Sequence, residues 1–469
     1  VPCGAGKTSW AIKTINKNPE ESYIFCTPYL DEIKRIREAC GENRIKEPLP
    51  YPYVTSKIED FNRLLASGAD IAVTHATLIN ATEETISRIQ QGGYTLILDE
   101  AIDVIQKYNN LSSVKEAHQT MNETNMQGIL LEKNFVSIGS DNKVNWIGRK
   151  HDDGFQYSEF ERLSSLGRMY YFSSEREDGE SKLLVVLPPD IFRSFKNIYV
   201  LTYQFRDSLF QYYFDYYGFQ YQIMSIGENG LQEYTQEADR RFREQCKKLI
   251  TLHHGGKSKR SYLSSNWYDH ATKADLTVLK RKLENYYGNV LRKTGYKSAD
   301  AMWTCPKKKQ KNLSGKGYTM RGLTHEEREL LAPEAKSEVQ ATVQVSKKKR
   351  KLSAAEREKI KEDRLRFVPC TARATNKYKD RWALAYFCNI HYDPLIMRFF
   401  TSGNEQRKAA GISPIVPSND AYALSCLIQW VCRSRIRDGE KIHLYIESKR
   451  MYDLFVDWMK GKDLQSTTS

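Results

Sequence analysis

Two short clusters in this chain carry groups that could bind and cleave a phosphoanhydride. The first is Gly4-Ala5-Gly6-Lys7-Thr8. Glycines let backbone N–H groups wrap phosphates, Lys7 can reach the β- and γ-phosphates, and the Thr8 hydroxyl can hold Mg²⁺. Ser9 to Lys13 then open a helix whose N-terminal dipole favours the same anion. The second cluster is Asp99-Glu100, at the end of the apolar run Tyr94-Thr95-Leu96-Ile97-Leu98. A buried strand ending this way delivers two acids to the carboxyl edge of a parallel sheet, where α/β proteins bind ligands. Asp99 would hold the Mg²⁺ and Glu100 would polarise the attacking water. The plain alternative is a solvated acidic turn. A phosphate loop followed about ninety residues later by strand-Asp-Glu argues for nucleotide hydrolysis instead. A third group, Gln429, Arg433, Arg435 and Arg437, precedes a strand at Lys441 to Glu447. A helix would put Gln429 and Arg433 on one face, from which arginines can stabilise γ-phosphate charge. The alternative is an exposed basic helix.

The elements around these groups alternate. Tyr23 to Cys26 reads as a buried strand ended by Thr27-Pro28, and Leu30 to Cys40 as a helix stopped by Gly41. Ile71 to Val73 is a short strand running into Thr74-His75, and Thr77 to Gln91 is helical. Strands alternating with helices indicate an α/β fold with a parallel sheet. Residues from about 106 to 190 break the rhythm and read as an insertion. Asn197 to Thr202 and Phe219 to Ile226 return to strands and close a first domain, 1–230. A second domain, 246–462, holds a basic block at about 289–366, with Lys307-Lys308-Lys309 and Lys347 to Lys351, which reads as a further insertion.

Of 469 residues, 40% are hydrophobic and the formal charge is +14, so two or three domains and a polyanionic partner are expected. No apolar run reaches the ~18 residues of a membrane span. The nine cysteines are scattered without a C-x-x-C pair, against a zinc site or disulfide framework and in keeping with a reducing cytoplasm. Rings interleave with basic residues at Ser261 to Tyr268 and Tyr286 to Trp303; they could stack on bases, although core packing is the commoner use. His253-His254 reads as a strand-end pair rather than a metal site.

The ordered set of motifs resembles a superfamily-two nucleic-acid helicase of the DEAD/DEAH-related kind, most of all its divergent bacteriophage versions. Pro2 to Thr8 resembles motif I and Asp99-Glu100-Ala101-Ile102 motif II. Thr27-Pro28-Tyr29 resembles motif Ia, and Val73 to Leu78, with Thr74 and His75, motif Ib. Leu201-Thr202-Tyr203 stands where the coupling motif falls but lacks its Ala-Thr. Phe367 to Arg381, with Thr375 and Asn376, resembles motif V. Gln429-x-x-x-Arg433 resembles motif VI, with Arg435 and Arg437 flanking Ile436 at the position of its second arginine. The usual first loop glycine would fall at Val1 and the preceding strand is not in the chain, so a natural N-terminus is expected to be missing.

This resemblance implies two RecA-like P-loop domains with ATP and Mg²⁺ in the cleft between them. Gly4, Gly6, Lys7, Thr8 and Asp99 would bind nucleotide, with Thr8 and Asp99 on the metal. Glu100, Gln429, Arg433 and Arg437 would be catalytic. Thr27, Pro28, Thr74, His75, Thr375 and Asn376 would contact nucleic acid, with DNA in phage replication preferred and RNA an alternative. A nucleic-acid-stimulated ATPase that does not unwind, a catalytically weak DNA-binding scaffold and a P-loop kinase are the rivals. Polarity and oligomeric state are left open by these residues.

Overall fold

The structure is a computed structural model that describes residues 6–41, 44–49, 56–108, 131, 133–149, 158–172, 183–227, 230–255, 262–319, 366–370 and 377–462. It divides into two compact units, Val1–Thr235 with Tyr392–Ala421, and Gln236–His391 with Tyr422–Ser469.

In the first unit the strands run β1 (Tyr23–Thr27), β2 (Ile45–Lys46), β3 (Asp70–Thr74), β4 (Thr95–Asp99), β5 (Ile105–Lys107), β6 (Val136–Ile138), β7 (Val144–Trp146), β8 (Met169–Tyr171), β9 (Leu183–Val186), β10 (Asn197–Leu201), β11 (Met224–Gly227) and β12 (Gly230–Glu233). The main sheet has the order β10-β4-β1-β3-β2, and every pair in it is parallel. β1 and β4 are buried at every residue, as expected where both faces are covered. On one face the helix Lys7–Lys17 sets Trp10, Ala11 and Ile15 against Tyr23, Phe25, Ile97 and Leu201, beside Ile33 and Ile36 of the helix Leu30–Cys40. This packing fixes the first helix, and with it Lys7 and Thr8, over the sheet.

The single helix expected over Thr77 to Gln91 is two, His75–Ile79 and Glu83–Gln91. Thr82 breaks it, because its hydroxyl accepts from the Thr85 backbone N–H while Thr85 bonds back, a capping box that starts a new helix. The strand expected over Phe219 to Ile226 is confined to β11, which pairs antiparallel with β12.

The region read as an insertion at 106–190 builds an antiparallel sheet of order β5-β9-β8 and the hairpin β6-β7. Phe160, Leu163, Met169, Tyr171, Leu183 and Val185 form its own core with Val136 and Val144. Arg168, also buried, donates to the carbonyls of Ile79 and Ala81 and so ties this layer to the end of the helix His75–Ile79.

Residues 392–421, expected in the second domain, pack in the first. Aromatic density decides this. Phe399 and Phe400 of the helix Pro394–Thr401 meet Tyr216, Tyr212, Tyr170 and Phe172 with ring centroids 4.9–6.4 Å apart. The Lys107–Asp393 ion pair at 2.8 Å and the Tyr392 hydroxyl on the Asp207 carbonyl at 3.1 Å add polar ties. Phe399→Ala is therefore expected to cost about 3–5 kcal/mol, the usual penalty for emptying a buried aromatic site. It should sharply raise protease cleavage between 392 and 421 before the rest of the chain is cut; an unchanged digestion pattern would contradict this.

The second unit carries β13 (Ile250–His254), β14 (Ala301–Thr304), β15 (Ala383–Tyr386) and β16 (Ile442–Ile446), all parallel, in the order β13-β16-β15-β14. Phe367 adds a parallel bridge to Trp303 on the outer side of β14. The expected basic insertion at 289–366 is thus corrected over its first part. Residues 301–304 form a sheet strand, and Leu291, Trp303, Leu313 and Tyr318 belong to the unit's core. The lysines mislead because they flank the strand while its own four residues are buried. Tyr286, Tyr287 and Trp303 are core as well, so those rings do not stack on bases. The run Lys347 to Lys351 lies outside the described residues.

Candidate functional site

The first unit brings several of the sequence-derived residues to the carboxyl edge of its main sheet. Lys7 opens the first helix and Thr8 follows it, both half-buried. Gly6 caps this helix at φ 77°, in the left-handed region that a side chain resists, which accounts for glycine at this position. Gly4 lies outside the described residues.

Asp99 ends β4 and is only 7% exposed. Burial, then the neighbouring Glu100 and Glu32, push its carboxyl up to about 7, while Lys7 and Arg35 pull it the other way. A cation beside Asp99 would offset the burial that disfavours its charge. The hard oxygens of Asp99 and Glu100, with the Thr8 hydroxyl, are the donor type Mg²⁺ takes. The Thr27 hydroxyl, at the end of β1, reaches an Asp99 carboxylate oxygen at 3.5 Å. His75 is buried and its Nε2 lies 3.0 Å from the Asp99 carbonyl, which requires the proton on Nε2.

Glu100 adopts φ 64°, an uncommon conformation for a residue with a side chain. Its backbone N–H donates to the Leu201 carbonyl at 3.3 Å, extending the β4–β10 ladder by one step. Strain of this kind collects where a side chain must be aimed.

The remaining positions divide. Pro28 follows β1 and is half-buried. The Thr74 hydroxyl caps the helix His75–Ile79 by accepting from the Thr77 N–H, so it already has a structural task. Thr375 and Asn376 lie outside the described residues. The helix Asn419–Val431, which enters the second unit at Tyr422, carries Gln429, whose amide donates to the Ser425 hydroxyl. That helix stops at Val431, so Arg433 sits in the turn beyond it rather than on a shared helix face. Arg433 is 6% exposed, and its Nε has no hydrogen-bond partner among the described residues. Arg435 is committed within its own unit: Nε donates to the Lys441 carbonyl at 2.7 Å and the guanidinium lies 5.4 Å over the Trp382 ring. Arg437 is half-buried in the 3₁₀ turn Arg435–Asp438.

One residue escaped the sequence reading. Gln204, three positions past β10, adopts φ 56°, and its side-chain oxygen is buried without a partner among the described residues. The only signal was its place just after the irregular Leu201-Thr202-Tyr203. The Thr202 hydroxyl itself donates to the Tyr203 carbonyl at 3.3 Å. His253 and His254 are the last two residues of β13, with His253 Nε2 3.0 Å from His443 Nδ1.

The molecule is an α/β protein of two RecA-like domains with parallel sheets and inserted elements. Residues 244–459 match the family model of the YonV C-terminal Rossmann-like domain. The chain is 29% identical over 471 residues to the SPbeta prophage-derived uncharacterized protein YonV of Bacillus subtilis (strain 168), covering 98% of this chain and 97% of that protein. Among solved structures, the XPD apo structure is similar in fold, with a TM-score of 0.50 and 14% identity over 98% of this chain and 94% of that one. An XPD helicase structure aligns over 98% and 94% with a TM-score of 0.47 and 12% identity.

Proposed function

We propose that this protein is an ATP-driven nucleic-acid helicase or translocase. The observation that carries the reading is the gathering of Lys7, Thr27, Asp99 and the strained Glu100 at the carboxyl edge of one parallel sheet. In this reading Gly4, Gly6 and Lys7 cradle the phosphates of ATP, and Thr8 and Asp99 hold Mg²⁺, which neutralises charge on the β- and γ-phosphates when bound. Glu100 orients the attacking water and draws its proton to a carboxylate oxygen. Arg433, which is buried, is the catalytic cation of this reading, with Arg437 and Gln429 near it in sequence.

A net charge of +14 and the likeness in fold to the XPD apo structure support a nucleic-acid track. Similarity to a prophage-derived protein over nearly its whole length supports a phage setting in the host cytoplasm, and with it DNA as the preferred strand. Among the described residues no helix is long and apolar enough to cross a membrane. A second reading keeps the same site: hydrolysis stimulated by nucleic acid without separation of strands.

The test is steady-state ATP hydrolysis alone, with single-stranded DNA and with single-stranded RNA, followed by strand displacement on a tailed duplex. Several-fold stimulation by one polymer, lost in Lys7→Ala, is the expected result. Hydrolysis that ignores both polymers would reject the motor, and stimulation without displacement would select the second reading.

A further inference from the structure

We propose that the second unit holds a separate nucleotide-sized site, which takes one base and its phosphodiester from a single nucleic-acid strand, in a recess at the amino edge of its sheet. The inference rests on the nucleic-acid reading above and assigns part of the track to residues that none of the motifs contains, apart from Arg435.

The recess is a cavity of about 490 Å³ lined by Thr294, Gly295, Lys297, Asp300, Trp382, Arg435, Lys441 and His443. Three segments build it, each entering a neighbouring strand: Thr294 to Asp300 before β14, Trp382 before β15, and Arg435 to Lys441 before β16. Its floor is held by backbone bonds that prolong the sheet, from the Trp382 N–H to the Asp300 carbonyl at 3.2 Å and from the His443 N–H to the Trp382 carbonyl at 2.8 Å. The Arg435 N–H is fixed on the Arg381 carbonyl at 3.0 Å. A parallel sheet usually binds ligands at the other, carboxyl edge. A formed recess at the amino edge is therefore not a by-product of the motor site.

Its chemistry suits a nucleotide unit. Trp382 is braced edge-on by Tyr296 at 5.9 Å and His443 at 5.7 Å, and Arg435 lies over its ring, so the indole backs the guanidinium plane that lines the recess. A guanidinium plane is a surface on which bases stack. Lys297 and Lys441 stand exposed at the rim. Two acids are near, and both have other work. Asp300 accepts from the Lys297 backbone N–H at 2.7 Å, and Glu440 lies 3.6 Å from Arg435. Burial and Arg435 hold the His443 imidazole below its ordinary value, so the positive charge here comes from the lysines and the arginine. A volume in the range of small-ligand sites accommodates one nucleotide rather than a duplex.

The experiment compares wild type with Lys297→Ala/Lys441→Ala for binding to a fluorescent single-stranded oligonucleotide across a series of salt concentrations. Each phosphate neutralised on a single strand contributes about 0.7 to the slope of log K against log salt, so the double variant, which loses the charge facing the one phosphodiester, is expected to lose about 0.7 from that slope. ATP hydrolysis without nucleic acid should be unchanged, and the same charge loss at Lys34 and Lys408, surface lysines of the first unit, should leave the slope alone. Trp382→Phe should weaken binding at fixed salt while keeping the slope. Wild-type binding with an unaltered slope in the double variant overturns the site. Wild type that binds no oligonucleotide overturns the nucleic-acid reading, and this proposal with it.

Discussion

At pH 8 the Asp99→Asn protein is expected to be more stable than wild type although it no longer hydrolyses ATP. Asp99 is buried at the end of β4, and its carboxyl is pushed up to about 7. A group whose folded value lies above its unfolded value contributes stability at low pH that is lost as pH rises through the folded value. For Asp99 the loss runs from about pH 4 to pH 7. It amounts to roughly 2–4 kcal/mol above that window, since each tenfold change in proton affinity on folding is worth about 1.4 kcal/mol. Asparagine resembles the protonated acid and bears no such cost. Melting profiles of wild type and variant should coincide near pH 4 and separate steadily up to pH 7. The expected loss of hydrolysis follows from removing a charged oxygen from the cation. Equal melting at both pH values would show that Asp99 ionises without penalty, and retained hydrolysis would remove it from the site. In wild type the same proton competes with the cation, so turnover at limiting Mg²⁺ should fall as pH drops below about 7.

Glu100→Gln is expected to lower ATP turnover by about 10²–10⁴-fold, the range lost with a positioned general base. The amide keeps the size of the side chain and can still orient a water, but it cannot take the proton. Nucleotide binding should survive, so a fluorescent ATP analogue would still bind while hydrolysis in a single-turnover assay collapses. A variant that binds nucleotide and turns over at the wild-type rate would sink the role given to Glu100. The backbone at φ 64° gives this test a control, because Glu100→Gly relieves the strained conformation yet removes the carboxylate. Loss of turnover in both variants would place the effect on the carboxylate rather than on the turn.

Much of the first unit was legible because local pattern and tertiary burial agree there. β1, β3 and β4 fall on the apolar runs Tyr23 to Cys26, Ile71 to Val73 and Tyr94 to Leu98, and the acids fall at the strand end as expected. The pair Thr27–Asp99 follows from β1 and β4 being neighbours in parallel register, with Cys26 opposite Leu98. The errors arose where composition and fold diverge. A lysine-rich neighbourhood hid β14, whose four residues face only core. One long amphipathic pattern hid the break at Thr82, which depends on a two-residue hydrogen-bond exchange that periodicity does not register.

The amino-acid sequence by itself determined the kinds of group available for chemistry, and the strands and helices that carry them, because those are properties of residues near one another in the chain. It was silent on which distant residues meet. Only the tertiary structure placed 392–421 with the first unit, since that choice rests on Phe399 and Phe400 finding rings nearly two hundred residues earlier. Only the folded surroundings lifted Asp99 towards neutrality, left Arg433 Nε without a partner among the described residues and engaged Arg435 with Trp382. Dielectric surroundings and hydrogen-bond partners are set by what folds around a side chain, and neighbours in sequence do not contain that information.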